Sequence, residues 1–158
     1  MFHGFADALI SPQMTIDYYL LVQRALQQQN EDQAQALADE QSFFRLFLAP
    51  GMGHCSGGPG PNAFGQLGGT QVPADAEHDL LRALVRWVKS GEPPSKVVAT
   101  KYVNDAPANG ILMTRPLCPF PKLPQYTGSG DPTDAASFAC VDDGVRQNPI
   151  PAPEYLRD

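Results

Sequence analysis

The stretch SFFRLFLAPGMGHCSGGPGPNAFG, residues 42–65, governs how the rest of the chain is read. Phe43, Phe44, Leu46, Phe47 and Leu48 form an apolar run broken by Arg45 and ended by Pro50-Gly51. Such a run reads as a strand over 42–48 buried on both faces, as in a parallel sheet. Behind it, Gly51, Gly53, Gly57, Gly58 and Gly60 let the backbone take positive φ and turn tightly. They carry the pair His54-Cys55. A histidine on a glycine-rich loop just past a strand end is where α/β enzymes keep a general base. The plainer reading is a loop histidine bonded to backbone carbonyls.

Composition bounds the possibilities around this stretch. A length of 158 residues, 42% hydrophobic and 18% charged, fits one globular domain of moderate size. Sixteen Pro and 14 Gly crowd toward the second half and predict a loop-rich C-terminal region. The net charge of −6, with no basic cluster, argues against nucleic acid or an anionic membrane surface as partner. No apolar run approaches the ~20 residues of a membrane span. Met1-Phe2-His3-Gly4-Phe5 shows neither the charged nor the long apolar segment of a signal peptide. It reads instead as the end of a strand, as though the chain were a fragment, and three cysteines leave one without a partner.

Upstream, Phe2 to Asp7 reads as a strand end running into a loop with Asp7 at its tip. Ser11-Pro12 opens a helix, Ser11 as N-cap and Pro12 at the first helical position. That helix is expected to run to about Gln29, with Ile16, Tyr19, Leu20 and Leu26 on one face and both Tyr18 and Tyr19 in the core. Residues 30–41 read as an exposed helix with only Leu37 buried and its acids on a solvated face. Downstream, Leu80, Leu81, Leu84, Val85, Trp87 and Val88 recur at helical spacing over 74–89. Gly91 stops that helix and Pro93-Pro94 forbids its continuation. Trp87 is expected in the core against the sheet, and His78 exposed. Segments 97–103 and 111–115 predict a hairpin. The remainder, 116–158, has too little periodicity to bury much surface. A disulfide between Cys118 and Cys140 would staple it, contributing ~3 kcal/mol in the chain-entropy model.

An acid after one strand, a helix, a second strand and then a histidine is the order of the last two members of an α/β-hydrolase triad. The carboxylate would fix the imidazole tautomer while the other ring nitrogen takes the nucleophile's proton. Four strings sharpen this: HGFADALISP at 3–12, PGMGHCSGGPG at 50–60, RWVKSGEPP at 86–94 and RPLCPFP at 115–121. Together, in this order, they resemble the C-terminal part of the tannase and feruloyl esterase family, which also holds the mono(hydroxyethyl)terephthalate hydrolases. The resemblance covers nearly the whole chain, so residues 1–158 are read as one C-terminal portion of such a catalytic domain.

The resemblance implies an α/β fold: the last strands of a hydrolase sheet with flanking helices, then a hairpin and a disulfide-stapled tail. It makes Asp7 the triad acid, His54 the general base and Cys55 the cysteine whose disulfide partner lies upstream, beside the serine. Cys118 and Cys140 are then the structural pair. The family's Gly-x-Cys-Ser-x-Gly-Gly elbow is absent from this stretch. Cys55-Ser56-Gly57-Gly58 imitates it, but that string sits directly after His54 on the histidine loop, and Ser56 is not expected to be the nucleophile. The lid domain, with its calcium ion, is also absent, so no cofactor or metal is assigned to this chain.

Three function classes follow. The first is a carboxylic ester hydrolase of aromatic esters, feruloyl or galloyl in type, for which this chain supplies Asp7 and His54. Its partners would be a small aromatic ester and the missing N-terminal part of its own domain, and the family implies secretion. The second is an inactive fragment lacking its nucleophile. The third is a metal module built on His3, Asp7, His54 and Cys55, whose spacing matches no zinc pattern. For Asp7 the bland alternative is an Asx-turn residue.

Overall fold

The computed structural model describes residues 1–30, 32–67 and 72–142. Strand β1 (Phe2–Gly4) leads through the Asp7 loop into helices α1 (Pro12–Asn30) and α2 (Gln33–Phe43). Strand β2 (Phe47–Ala49), the glycine loop and helix α3 (Leu80–Ser90) follow. The chain then forms β3 (Val97–Tyr102), β4 (Ile111–Leu117), β5 (Leu123–Tyr126) and β6 (Phe138–Val141), with short 3₁₀ turns between them. Among the described residues the strands form three two-stranded sheets: β1–β2 parallel, β3–β4 and β5–β6 antiparallel. Only the first has the parallel pairing expected of a hydrolase sheet. Among the described residues no helix is long and apolar enough to cross a membrane.

Strand β2 separates two cores. Phe47 and Ala49 join Met52, Phe64, Ala83, Val97, Ala99 and Leu117 on one side. Leu46 and Leu48 join Tyr19, Leu20 and Phe120 on the other. Alternate side chains of a strand point to opposite faces, so this short segment is apolar at every position because both faces are covered. The double burial holds, but the strand is three residues long and begins at Phe47. Helix α2 continues through Ser42 and Phe43, and the Phe44 N–H closes it on the Glu40 carbonyl at 2.7 Å. Phe43 is exposed, while Phe44 lies against the rings of Tyr18 and Tyr19. The aromatic pair serves the helix end because α1, and not a neighbouring strand, is what faces it.

Helix α1 starts where its signals place it, with the Ser11 hydroxyl accepting from the Gln13 N–H. Tyr19 is fully buried, but Tyr18 is mostly exposed, contrary to the expectation that both are core. Adjacent helical positions point about 100° apart, so one of a Tyr-Tyr pair must leave the buried stripe. In α2 the buried residues are Ala36 and Glu40, with Leu37 half-buried.

Helix α3 begins at Leu80, six residues later than its apolar spacing suggested, because the Asp79 carboxylate caps it by accepting from Leu81 and Arg82 N–H. Asp75 meanwhile turns the preceding segment, accepting from Glu77 and His78 N–H and holding the half-buried His78 ring at 2.8 Å. Gly91 ends the helix in the left-handed region at φ 69°. Of its apolar stripe, Ala83 is buried whereas Leu81, Leu84, Val85 and Val88 are exposed. Trp87 is half-buried at the wall of an open groove, under the Arg45 guanidinium at 5.6 Å, and does not enter the core.

The predicted hairpin is β3–β4, and β3 is the most buried strand. The segment after it is more structured than its composition suggests. Leu117, Cys118 and Phe120 are buried, Tyr126 packs on Phe138 across β5–β6, and Cys118 is disulfide-bonded to Cys140. That bond draws the strand pair onto β4, which lets a Pro- and Gly-rich stretch bury apolar side chains. Residues 143–158 of the expected tail lie outside the described residues.

Candidate functional site: an aspartate and a histidine joined across two loops

The site forms where the loops after the paired parallel strands β1 and β2 meet. The Phe5 N–H donates to the Ala49 carbonyl at 2.9 Å and the Ala6 N–H to Met52 at 3.0 Å, so the first loop is stitched onto the second. Gly4 permits this approach: a Cβ there would collide with the backbone carbonyls of Met52 and Gly53. The second loop folds on itself in the same way, with Gly53 N–H on the Gly57 carbonyl and Gly60 N–H on Gly51. A Cβ on Gly60 would strike the Pro50 carbonyl. The glycine count of this stretch thus reflects backbone packed on backbone.

This geometry presents His54 beside Asp7. The His54 Nδ1 lies 2.8 Å from Asp7 Oδ2, across 47 residues of sequence. The other carboxylate oxygen, Oδ1, accepts from the Leu9 N–H at 2.8 Å and the Ile10 N–H at 3.0 Å. The Asx-turn reading of Asp7 and its pairing with a histidine are therefore both realised, one per oxygen. The Ile10 N–H is the largest influence on the carboxyl group. With the His54 ring and the Leu9 N–H it outweighs the opposing effect of burial and holds the pKa down at about 2. Asp7 is an anion at neutral pH, and an anion can only accept, so His54 Nδ1 carries the proton toward it. Nε2 is then a free base. Among the described residues no hydroxyl or thiol bonds to it, and the His54 side chain is 45% exposed. Ser56 follows on the same loop and lines a neighbouring hollow without bonding to His54.

Cys55 takes φ 60°, a left-handed conformation uncommon for a non-glycine residue, and its thiol is free and exposed. The Gln66 amide reaches its carbonyl at 3.3 Å and that of Asn62 at 2.5 Å. From the other side the buried Lys101 ammonium donates to the Gly58 carbonyl at 2.6 Å and pairs with Asp105, which also accepts from Asn62. Lys101 of β3 is therefore a brace for the histidine loop. Sequence reasoning passed over Lys101, Asn62 and Gln66, and considered His3 only as part of a metal module. His3 lies with its Nε2 at 3.4 Å from Asp7 Oδ2.

The residues of the suggested metal module do not form one: no group of three or more His, Cys, Asp or Glu arranged to hold an ion occurs among the described residues. Among the described residues there is likewise no donor set for the calcium implied for a lid segment. Cys118, just past β4, and Cys140, on β6, form a disulfide.

Comparison with known proteins identifies the family. A sequence profile of the family "Tannase and feruloyl esterase" matches residues 1–141. An uncharacterized esterase of Xanthomonas campestris is 44% identical over 146 residues, covering 90% of this chain and 25% of that protein. The mono(2-hydroxyethyl) terephthalate hydrolase of Piscinibacter sakaiensis is 38% identical over 142 residues, covering 89% of this chain and 19% of its own. The crystal structure of feruloyl esterase B from Aspergillus oryzae superposes with a TM-score of 0.75 at 32% identity, over 89% of this chain and 26% of that one. The chain thus spans about a quarter or less of the length of these relatives. With the profile matching nearly its whole length, the chain belongs to the tannase and feruloyl esterase family.

Proposed function

We propose that this chain supplies the acid and the base of a serine carboxylic ester hydrolase acting on small aromatic esters, feruloyl or galloyl in type. The observation that carries the reading is the Asp7–His54 pair at 2.8 Å with Nε2 left open. A serine from polypeptide outside this sequence would lose its proton to His54 Nε2 as its oxygen attacks the ester carbonyl. Asp7 stabilises the resulting imidazolium without itself being protonated. Collapse of the tetrahedral intermediate passes that proton to the departing alcohol, and water then repeats the sequence on the acyl-enzyme. The exposed Cys55 thiol, next to His54, suits a disulfide to a cysteine beside that serine. The Cys118–Cys140 bond fits secretion into an oxidising compartment.

The partner that completes the site is the N-terminal part of the same kind of domain. Two features favour it: the open apolar stripe of α3, and a groove of about 290 Å³ walled by Phe2, Phe47, Leu84, Trp87 and Pro94. Contiguous apolar surface of this kind is what a domain interior shows when part of the layer over it is missing. The competing reading is a chain without activity of its own, favoured by the lack of any hydroxyl on His54 Nε2 among the described residues.

Grafting decides between them. The chain replaces the corresponding quarter of the Xanthomonas esterase, and hydrolysis of methyl ferulate is followed. The expected result is turnover by the fusion, lost by about 10⁶-fold in His54→Ala, and none above that control in the isolated chain. A folded fusion with no turnover would leave the inactive-fragment reading standing.

A further inference from the structure

A second histidine touches the site from the buried side. His3, on β1, is 12% exposed and stands four residues before Asp7. Its ring is held at both nitrogens. Nε2 lies 3.1 Å from the Ile10 carbonyl, and Nδ1 lies 2.6 Å from the Thr15 hydroxyl at the start of α1. A carbonyl can only accept, so Nε2 must carry a proton. In the neutral ring Nδ1 is then a lone pair, and Thr15 is the group that donates into it. Nε2 itself also lies 3.4 Å from Asp7 Oδ2, the oxygen that His54 uses.

We infer that His3 is a positioning residue for Asp7: Thr15 fixes its Nε2–H tautomer, and that N–H holds the Ile10 carbonyl, so that the Ile10 N–H stays on Asp7 Oδ1 and keeps the carboxylate in the rotamer that faces His54. Every donor around Asp7 then has a fixed place. Leu9 and Ile10 N–H hold Oδ1, while His54 and the His3 edge flank Oδ2. His3 also ties the loop together by its bond to Ile10, whose own N–H is one of those donors. The device links β1, the acid loop and the first turn of α1, so the acid is aimed by three segments and not by its loop alone.

This inference rests on the reading of Asp7 and His54 as acid and base, but its test needs no turnover, so the two can fail separately. The chain contains three histidines, His3, His54 and His78, which makes ring-nitrogen NMR of the uniformly ¹⁵N-labelled chain assignable with single variants. In the wild type His3 is expected wholly as the Nε2–H form and His54 wholly as the Nδ1–H form. His3→Phe, which keeps ring volume without either nitrogen, should convert His54 to a mixture of tautomers. His3→Gln, whose amide places an N–H where Nε2 was, should restore the single Nδ1–H form. Finding His3 as the Nδ1–H tautomer in the wild type overturns the inference without any variant. So does an unchanged His54 spectrum in a folded His3→Phe protein.

Discussion

Two buried carboxylates, Asp7 in the loop after β1 and Glu40 in the last turns of α2, have opposite electrostatic fates. Asp7 accepts two backbone N–H groups and faces two imidazoles, and its pKa is held at about 2. Both oxygens of the fully buried Glu40 lack a hydrogen-bond partner among the described residues, and burial pushes its pKa up to about 8. Burial alone therefore does not decide whether a carboxylate keeps its charge. Burial disfavours charge in both places; only where donors converge on the oxygens does the charge survive. Asp7 has its donors because a loop, unlike a helix interior, leaves backbone N–H groups free to turn onto a side chain. In α2 those N–H groups are already spent on the helix.

The sharpest way to break the contrast is Asp7→Asn. The amide keeps an oxygen for Leu9 and Ile10 but turns a donor toward His54, which must then present Nδ1 as acceptor and hold its proton on Nε2. In the fusion enzyme this wrong tautomer should lower turnover of methyl ferulate by about 10⁴-fold. Retention of activity within tenfold would show that Asp7 does not orient the base.

Glu40 is expected to respond in the opposite sense. Its folded pKa lies above the value in an unfolded chain, so the folded state holds the extra proton between roughly pH 4.5 and 8. Stability should fall as pH rises through that window and then level off. Glu40→Gln, neutral at every pH, should remove the slope and be more stable than the wild type at pH 9, by urea denaturation. A wild-type stability flat between pH 5 and 8 would mean that Glu40 has a partner in solution.

The smallest effect sharpens the same comparison at the acid end. Asp7 has a folded pKa below its unfolded value, so its contribution is complete above about pH 4 and is lost as pH falls toward 2. Wild type should lose stability faster than Asp7→Asn across that interval, and parallel acid-denaturation curves for the two proteins would contradict it.

Much of this was legible in the linear order of residues, for definite reasons. Ser11-Pro12 and Gly91 mark helix ends because capping is decided by the few atoms next to the cap. The string around His54 announced itself because backbone packed on backbone at Gly4, Gly58 and Gly60 tolerates no side chain. The misreadings share one cause as well. Residues 42–44 look the same whether they enter a strand or finish a helix, and the rings of Tyr18 and Tyr19 across the α1–α2 hairpin settled the matter. Trp87 and its neighbours carry a faultless amphipathic stripe, yet most of that stripe faces outward.

What the order of residues determined by itself, then, is local: helix caps, the turn-rich histidine loop, the β3–β4 hairpin and the family these strings belong to. What only the tertiary structure decided is which side chains meet. The pairing of Asp7 with His54 across 47 residues, the two-sided grip on His3, the reach of Lys101 to Gly58 and the isolation of Glu40 all depend on what is packed opposite. Propensity and capping act within a turn or two of the chain, whereas burial, charge and tautomer are set by neighbours that are close only in space.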